Sequence, residues 1–571
     1  MRSSSSHESL YGARLRRRCA GSAVRLGCLV VLGLGCQFAQ ANDGAQHAAD
    51  RIAASVDASA SSWNEGVGLE LEGLEAEWYN TANGDYFRRA KSRVDAILAQ
   101  APQSTAAIQT AGAPARALFG RQLLLLYRVT LNREYYDAAA ELHAQLAAEC
   151  GVSSSAPSAS AGNVPCVAQP FLAEYASVFQ QPQDFAGITK SFENAKDQAA
   201  PQRAALLVEA LPYYPQQDQG RAALIALLNR IAAKITTSQS ASSSANCSAV
   251  YALARGARLG YLPISDLNRA KQAWDAISAK FDSAATAASG DHDAAELGIF
   301  LLAATEMDHA STAALARGET ILLDAWFNSQ QRKNAAGQME SFHYKWSDMS
   351  NSGYALLGHM FRSYGAATET LDSEPTQQKL QSAQFYLIAS PDIPVKNPNP
   401  HYMTETDAAE IAAWVKQGGV LILMENDPPN ADIAHFNLLA DRFGIHFDDV
   451  LHHHILGEHV EDGRIPVAPD ENLFHQAHTL YMKDTTAISL SGSAVALLKD
   501  RGDVVLAAAK YGSGVVFAAV DPWLYNEYTD GRNNPQIYSQ FDNFAGGKEL
   551  VQWLLQQRSH PTALARKKEI Q

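Results

Sequence analysis

The hydrophobic period changes once along this chain, near residue 320, and that change limits the fold more than any other feature. Before it, from about Trp63 to Asp308, apolar residues recur at mixed two- to four-residue steps. Leu69, Leu71, Leu74 and Trp78 form one set, and Leu123 to Tyr127 followed by Tyr135 and Ala139 form another. Such spacing predicts one-sided helices. Segments of the same kind occur at Phe171–Phe179, Ala204–Leu211, Ala222–Ile235, Ala249–Leu259, Ala270–Phe281 and Leu297–Met307. Helices joined as successive hairpins pack into a bundle or an α/α toroid. The joints Ser153–Gly162, Thr237–Asn246 and Ser283–Gly290 are small, polar and low in complexity, and read as loops. After residue 320 the apolar runs are short and β-rich: Ile321–Asp324, Phe385–Ala389, Val420–Met424, Val504–Ala508 and Val515–Val520. Helical patterns lie between or after them at Gly353–Tyr364, Thr406–Lys416, Ala434–Phe443 and Lys548–Gln556. Near-continuous apolar strands alternating with helices predict a parallel sheet covered on both faces. The expected organisation is a helical domain, bundle or α/α toroid, over residues 45–315, an open parallel-sheet α/β domain over 316–558, and a loose tail over 559–571.

Composition narrows the function classes. Hydrophobic residues make up 47% and charged residues 19% of the 571, which excludes collagenous and wholly disordered chains. The net charge of -14 gives no basic face for a nucleic acid. At the N-terminus, Arg14, Arg16, Arg17, Arg18 and Arg25 precede the short apolar run Leu26 to Leu34, and Ala39-Gln40-Ala41 follows. That order reads as a secretory signal peptide over residues 1–41, too short in its apolar run to span a bilayer. Cleavage would remove six arginines and one glutamate, taking the charge from -14 to -19, and would leave Cys150, Cys166 and Cys247. One disulfide, Cys150–Cys166 tying off the loop between them, or three unpaired cysteines are both open. The expected location is periplasmic or extracellular, with no membrane attachment after cleavage.

Five stretches of the first half resemble the unsaturated rhamnogalacturonyl hydrolases, glycoside hydrolase family 105. They are W-N-E-G-V-G-L-E-L-E-G-L (Trp63–Leu74), G-R-Q-L-L-L-L-Y (Gly120–Tyr127), Q-P-F-L-A-E-Y-A (Gln169–Ala176), the R-G-x-R-L-G-Y-L run (Arg255–Leu262) and G-I-F-L-L-A-A-T-E-M (Gly298–Met307). In the second half, S-D-M-S-N-S-G-Y (Ser347–Tyr354) and D-P-W-L-Y-N-E-Y (Asp521–Tyr528) resemble a glutamine-amidotransferase-like domain that follows the hydrolase in some members. The resemblance implies an α/α barrel that removes an unsaturated uronic acid from a pectin fragment by hydrating the C4=C5 double bond. An aspartic acid with a tuned pKa must then protonate the alkene carbon and activate a water.

The chain departs from that pattern at the chemistry. The family's acidic residue before the glycine matching Gly120 falls in A-P-A-R-A-L-F-G, which holds Arg116 and no carboxylate. Its acid/base aspartate, counted back from Pro170-Phe171, falls on Asn163, and an amide cannot exchange that proton. The W-G-R-x-x-G-W segment is replaced by A-A-P-Q-R-A-A, keeping only Arg203. The expectation is a hydrolase scaffold with lost or altered catalysis, or a non-catalytic carbohydrate-binding protein on the same scaffold. Substitute carboxylates, Glu65 or Asp50, are candidates. The candidate substrate-binding residues are Trp63, Glu65, Arg121, Phe171, Tyr175, Asp521 and Trp523.

Other features are weaker. Trp63, Glu65, Trp78 and Tyr79 line a sugar cleft, or the aromatics pack helices with Glu70, Glu72, Glu75 and Glu77 as solvated glutamates. His452-His453-His454 with His459 alternate faces if on a strand, which disfavours chelation, so no metal and no cofactor are expected. No cysteine follows Cys247, so the α/β domain has no thiol for amidotransferase chemistry. The clusters Glu425-Asn426-Asp427 and Asp521 to Tyr528 follow predicted strands, where open α/β sheets bind ligands.

Overall fold

The computed structural model describes residues 49–50, 53–54, 62–100, 108–152, 167–195, 199–236, 243–285, 294–428, 430–457, 459–470 and 472–558. The expected signal peptide, the tail and Asn163 lie outside the described residues.

The first half is helical. Helices α1 (Glu65–Thr81), α3 (Ala113–Thr130), α5 (Gln169–Val178), α7 (Ala200–Ala210), α9 (Ser243–Arg258) and α11 (Ala294–Asp308) each pack on the next, and α11 packs back on α1, so the six close a ring. Helices α2 (Gly84–Leu98), α4 (Arg133–Glu149), α6 (Asp184–Asn194), α8 (Gln219–Ala232) and α10 (Ser265–Ala285) alternate with them and pack outside. Local chemistry starts these helices. Asn64, Asn83, Asn132 and Asp218 accept backbone N–H bonds as N-caps, and prolines sit in the first turns of α3, α5 and α7.

The ring helices are apolar on more than one side because they touch neighbours on both flanks. In α11 every residue from Gly298 to Met307 is buried. Gly298 allows α11 to lie against the α1 backbone, since a Cβ there would stand 2.4 Å from the carbonyl carbon of Leu69. Gly120 likewise admits the Phe171 ring, which a Cβ would meet at 2.6 Å.

From β1 (Thr320–Asp324) onward the chain builds a mixed sheet. Strands β4 (Ala367–Leu371), β1, β5 (Phe385–Ala389), β6 (Val420–Met424) and β13 (Gly514–Ala519) lie side by side and parallel. Their registers include Ile321 opposite Phe385 and Val420 opposite Val515. The sheet then continues antiparallel through β12 (Asp503–Tyr511), β10 (Thr485–Leu490) and the edge strand β7 (Ile445–His452), with β11 (Val495–Asp500) also paired to β12. The expectation of a parallel sheet therefore holds for one half of it only. Strands β7 and β11 carry alternating or half-exposed residues, so they lack the continuous apolar run that marked the others. Two hairpins, β2 (Gln331–Lys333) with β3 (Met339–Ser341) and β8 (Arg464–Val467) with β9 (His478–Tyr481), stand off the main sheet.

The two halves are joined face to face. The segment Gln331–Met349 covers the carboxyl ends of α1, α3 and α5. The Ala335 amide donates to the Tyr127 hydroxyl (2.8 Å), Gln180 Nε2 to the Met339 carbonyl (2.7 Å), and Arg128 Nη2 to the Ser347 carbonyl (3.3 Å). Lys548 Nζ donates to the Asn80 carbonyl (2.7 Å) from the last helix, Asn543–Gln557. Arg532 lies 4.0 Å over the Trp78 ring.

Candidate functional site

Six helices in a closed ring aim one stripe each at a common axis. Here that stripe is charged. Arg121 of α3 forks between Glu72 of α1 (2.9 Å) and Glu209 of α7 (2.8 Å), with its Nε 3.6 Å from Glu174 of α5. Arg128, two turns further along α3, meets the other Glu174 oxygen at 3.2 Å. Arg255 of α9 sits 3.1 Å from Glu306 of α11 and 3.9 Å from Glu209. Arg258 grips Glu306 with two nitrogens at 2.7 and 2.5 Å. Every helix of the ring supplies at least one charge. Arg128 reaches the axis in the company of Tyr213 and Glu75, and Arg128 and Tyr213 both line the covered mouth.

Burial sets the protonation of this cluster. It pushes Glu72 up to about 8 against the pull of Arg121, and Glu75 up to about 7, where Glu174 adds to the rise and Arg121 and Arg128 oppose it. Burial also acts to raise Glu306, but Arg258 and Arg255 outweigh it and bring that carboxyl down to about 2. Four guanidiniums thus face five carboxylates, and burial holds part of that negative charge protonated, most of all at Glu72. Tyr213 and Tyr79 are kept neutral by burial, Tyr79 being pushed up to about 12.

Glu75 differs from its neighbours. Glu72, Glu174, Glu209 and Glu306 are all ion-paired, whereas no described residue hydrogen-bonds the Glu75 carboxyl, and its side chain is half-buried. Beside Arg128 and Tyr213 the axis opens into a cavity of about 290 Å³ between the ring and the segment Gln331–Met349.

The residues singled out from the sequence scatter around this site. Arg121 lies at its centre. Trp63 is at the opposite mouth, packed edge-on against Phe119 (4.9 Å) with its indole N–H on the Ala115 carbonyl (2.7 Å). Glu65 is exposed in the first turn of α1. Asp50 accepts from Tyr86 of the outer helix α2 (3.0 Å), away from the axis. Phe171 is buried against Gly120, and Tyr175 is buried with its ring stacked on His143 of α4 (4.0 Å). Glu72 and Glu75, expected as solvated glutamates, are buried and half-buried at the axis, and Glu174, Glu209 and Glu306 went unremarked. Their one signal was a charged residue inside each apolar ring-helix segment, readable only once the segments are known to share an axis.

In the sheet, the carboxyl ends of the parallel strands carry Asp324, Ser390, Glu425 and Asp521, all fully buried. The gap between β1 and β5, where the strand order reverses, is filled by the chain itself. Asn328 donates to the Ser390 carbonyl (2.9 Å), and Lys345 Nζ is held by the Asn328 carbonyl (2.7 Å), the Asn328 side chain (2.9 Å) and the His343 carbonyl (3.1 Å). Burial lowers Lys345 to about 8 and raises Asp324 to about 6. Asp521 accepts from the backbones of Lys483 and Trp523, each at 2.7 Å, and so caps the short turn Pro522–Tyr525. Trp523 packs edge-on against Tyr528 (4.7 Å). His452, His453, His454 and His459 face four different carboxylates, Asp503, Asp500, Asp484 and Glu461, and do not converge. Among the described residues no group is arranged to hold a metal ion, and no helix is long and apolar enough to cross a membrane.

No family model matches the chain, and no curated protein does. Among solved structures, a family 105 glycoside hydrolase of C. acetobutylicum is similar at 17% identity, with 46% of this chain and 97% of that one covered and a TM-score of 0.38. A glycosyl hydrolase of family 88 from Bacteroides vulgatus is similar at 13% identity, with 48% and 99% covered and a TM-score of 0.38. The N-terminal domain of mmIFT52 is similar at 17% identity, with 41% and 97% covered and a TM-score of 0.31. Glycoside hydrolases therefore stand among its structural neighbours, and similarity at this level assigns neither family nor activity.

Proposed function

We propose that this chain is a carbohydrate-active (α/α)-barrel protein of the unsaturated glycuronyl hydrolase type. It takes the uronate end of a short pectin-derived oligosaccharide at the ring axis, with Glu75 as the proton donor. The observation that carries the reading is the Glu75 carboxyl itself: without a hydrogen bond among the described residues, half-buried beside Arg128, and raised to about 7. Alkene hydration needs an acid that is protonated near neutrality and a carboxylate that then takes a proton from water; a group titrating at about 7 serves both. Arg128 offers its guanidinium to the sugar carboxylate, and Tyr213, kept neutral, offers a hydroxyl. The guanidiniums gathered on the axis can receive an anion although the chain as a whole is acidic.

The test is to incubate the purified protein with an unsaturated galacturonyl-rhamnose disaccharide and follow the alkene's ultraviolet absorbance. Decay in the parent and its loss in Glu75→Gln are expected; no decay at high protein concentration sinks the enzymatic reading. A non-catalytic binder is favoured instead by Asn163 at the expected aspartate position, and calorimetry with the same disaccharide separates the two. Export is part of the proposal. The leader pattern of residues 1–41 supports it, as does the disulfide that engages Cys150, whose partner lies outside the described residues, while Cys247 is free and buried.

A further inference from the structure

This inference rests on the reading of the ring axis as a uronate site and adds to it a role for the α/β half. We infer that the β2–β3 hairpin is the specificity element of that site, contacting the sugar next to the uronate and selecting a neutral ring over a second charged one. The cavity has one wall from the ring, with Arg128 and Tyr213, and a second from the hairpin, with Arg332, Met339 and Glu340. At about 290 Å³ it is on the scale of the smallest ligand pockets, about 300 Å³, so the hairpin cannot be a distant bystander to anything bound there.

The chemistry of the second wall is distinct from that of the axis. Arg332 Nε stands 2.6 Å from Glu340 and its Nη2 3.4 Å from Asp348, so one guanidinium is matched by two carboxylates and the wall carries a formal charge of -1. A second uronate would meet net repulsion. A neutral sugar gives an O–H to Glu340 and accepts an N–H from Arg332, which remain accessible at 19% and 22% side-chain exposure respectively. Two large apolar side chains stand exposed at the same cavity, Leu131 at 40% and Met339 at 51%, and suit the C–H face of a pyranose.

The hairpin is also fixed in place. Leu131 adopts a left-handed conformation (φ 58°) to end α3, with its amide on the Tyr127 carbonyl. Gln180 does the same after α5 (φ 48°) and ties the hairpin to the ring through the Met339 carbonyl. Non-glycine residues keep that conformation only where the surrounding structure imposes it, so the mouth is held in this shape by its surroundings.

Calorimetry on the full chain with three ligands tests the inference: galacturonate, the unsaturated galacturonyl-rhamnose disaccharide and digalacturonate. The parent should bind the rhamnose-bearing disaccharide at least tenfold more tightly than digalacturonate. Glu340→Lys should shrink or reverse that ratio, and Met339→Ala should weaken both disaccharides while leaving galacturonate unchanged. A ratio unaltered by Glu340→Lys, with an unchanged melting temperature, overturns this inference alone. Absence of binding by all three ligands overturns the uronate reading and this inference with it.

Discussion

Arg258→Met is the most informative perturbation of the ring. Arg258 is 3% exposed, clasps Glu306 with two nitrogens and donates a third bond to the Arg362 carbonyl in the α/β half (3.1 Å). Removing it leaves Glu306 buried with Arg255 as its remaining ion-pair partner. Loss of one partner from a buried pair destabilises by about 3–5 kcal/mol, because the desolvated charge is no longer compensated. Glu306 lies at about 2 against an ordinary 4.5, a difference worth about 3 kcal/mol that Arg258 and Arg255 supply together. Because this carboxyl is depressed in the fold, that stability is present above about 4.5 and is lost as pH falls towards 2. Denaturant unfolding measured between pH 7 and pH 3 should show the variant weakened by about 3 kcal/mol at pH 7 and its acid limb flattened. Arg258→Met with Glu306→Gln should recover most of the loss at neutral pH. A loss under 1 kcal/mol with the acid limb unchanged would refute the view that the axis is held by this pair.

Four further outcomes follow from the same physics. If Glu75 is the proton donor, the rate of alkene loss should be steady below its value of about 7 and fall above it, and a profile unchanged to pH 9 would count against that residue. Glu425 has a buried oxygen with no partner and is raised by burial to about 8, so the fold loses stability as pH rises from about 4.5 through 8. Glu425→Gln should match the parent at pH 5 and exceed it by up to about 5 kcal/mol at pH 9 in denaturant titrations. Gly120→Ala puts a methyl 2.6 Å from the buried Phe171 ring and should cost about 1–3 kcal/mol, read as a lowered unfolding midpoint. The melting temperature should peak between about pH 4.5 and 6.5. Glu72, Asp308 and Asp521, raised by burial to about 8, 7 and 7, lose stability as pH rises, while His309 and His343, both held at about 3 by burial, lose it as pH falls below 6.5.

Much of the fold was legible because periodicity is a local property. The helical segments ending at Met307 and the first strand at Ile321 bracket the observed change from helix to sheet, and the apolar runs at Phe385, Val420 and Val515 are strands of the parallel half. Helices Gly84–Leu98 and Asp184–Asn194 were not marked, since they lie outside the ring and carry a single buried stripe diluted by charge. Strands β7 and β11 escaped for a similar reason, having one face in water.

The site followed the opposite course. Asp521 and Trp523 drew notice as a polar cluster after a strand, and the structure shows them capping and packing a turn. Glu75 reads from the sequence as a solvated glutamate, because in Leu-Glu-Gly-Leu-Glu-Ala-Glu it is one carboxylate among several on a helix, and the structure half-buries it at the axis instead. The sequence by itself determined that helical segments precede a strand-rich half and where the apolar residues fall within each. Only the tertiary structure decided that six of those helices close into a ring. Closure brings Glu72, Arg121, Glu174, Glu209, Arg255 and Glu306, spread over more than 230 residues, onto one axis, where burial rather than residue type fixes their protonation. A carboxylate's identity is written in the chain, but its pKa belongs to the desolvation and the neighbouring charges that folding imposes.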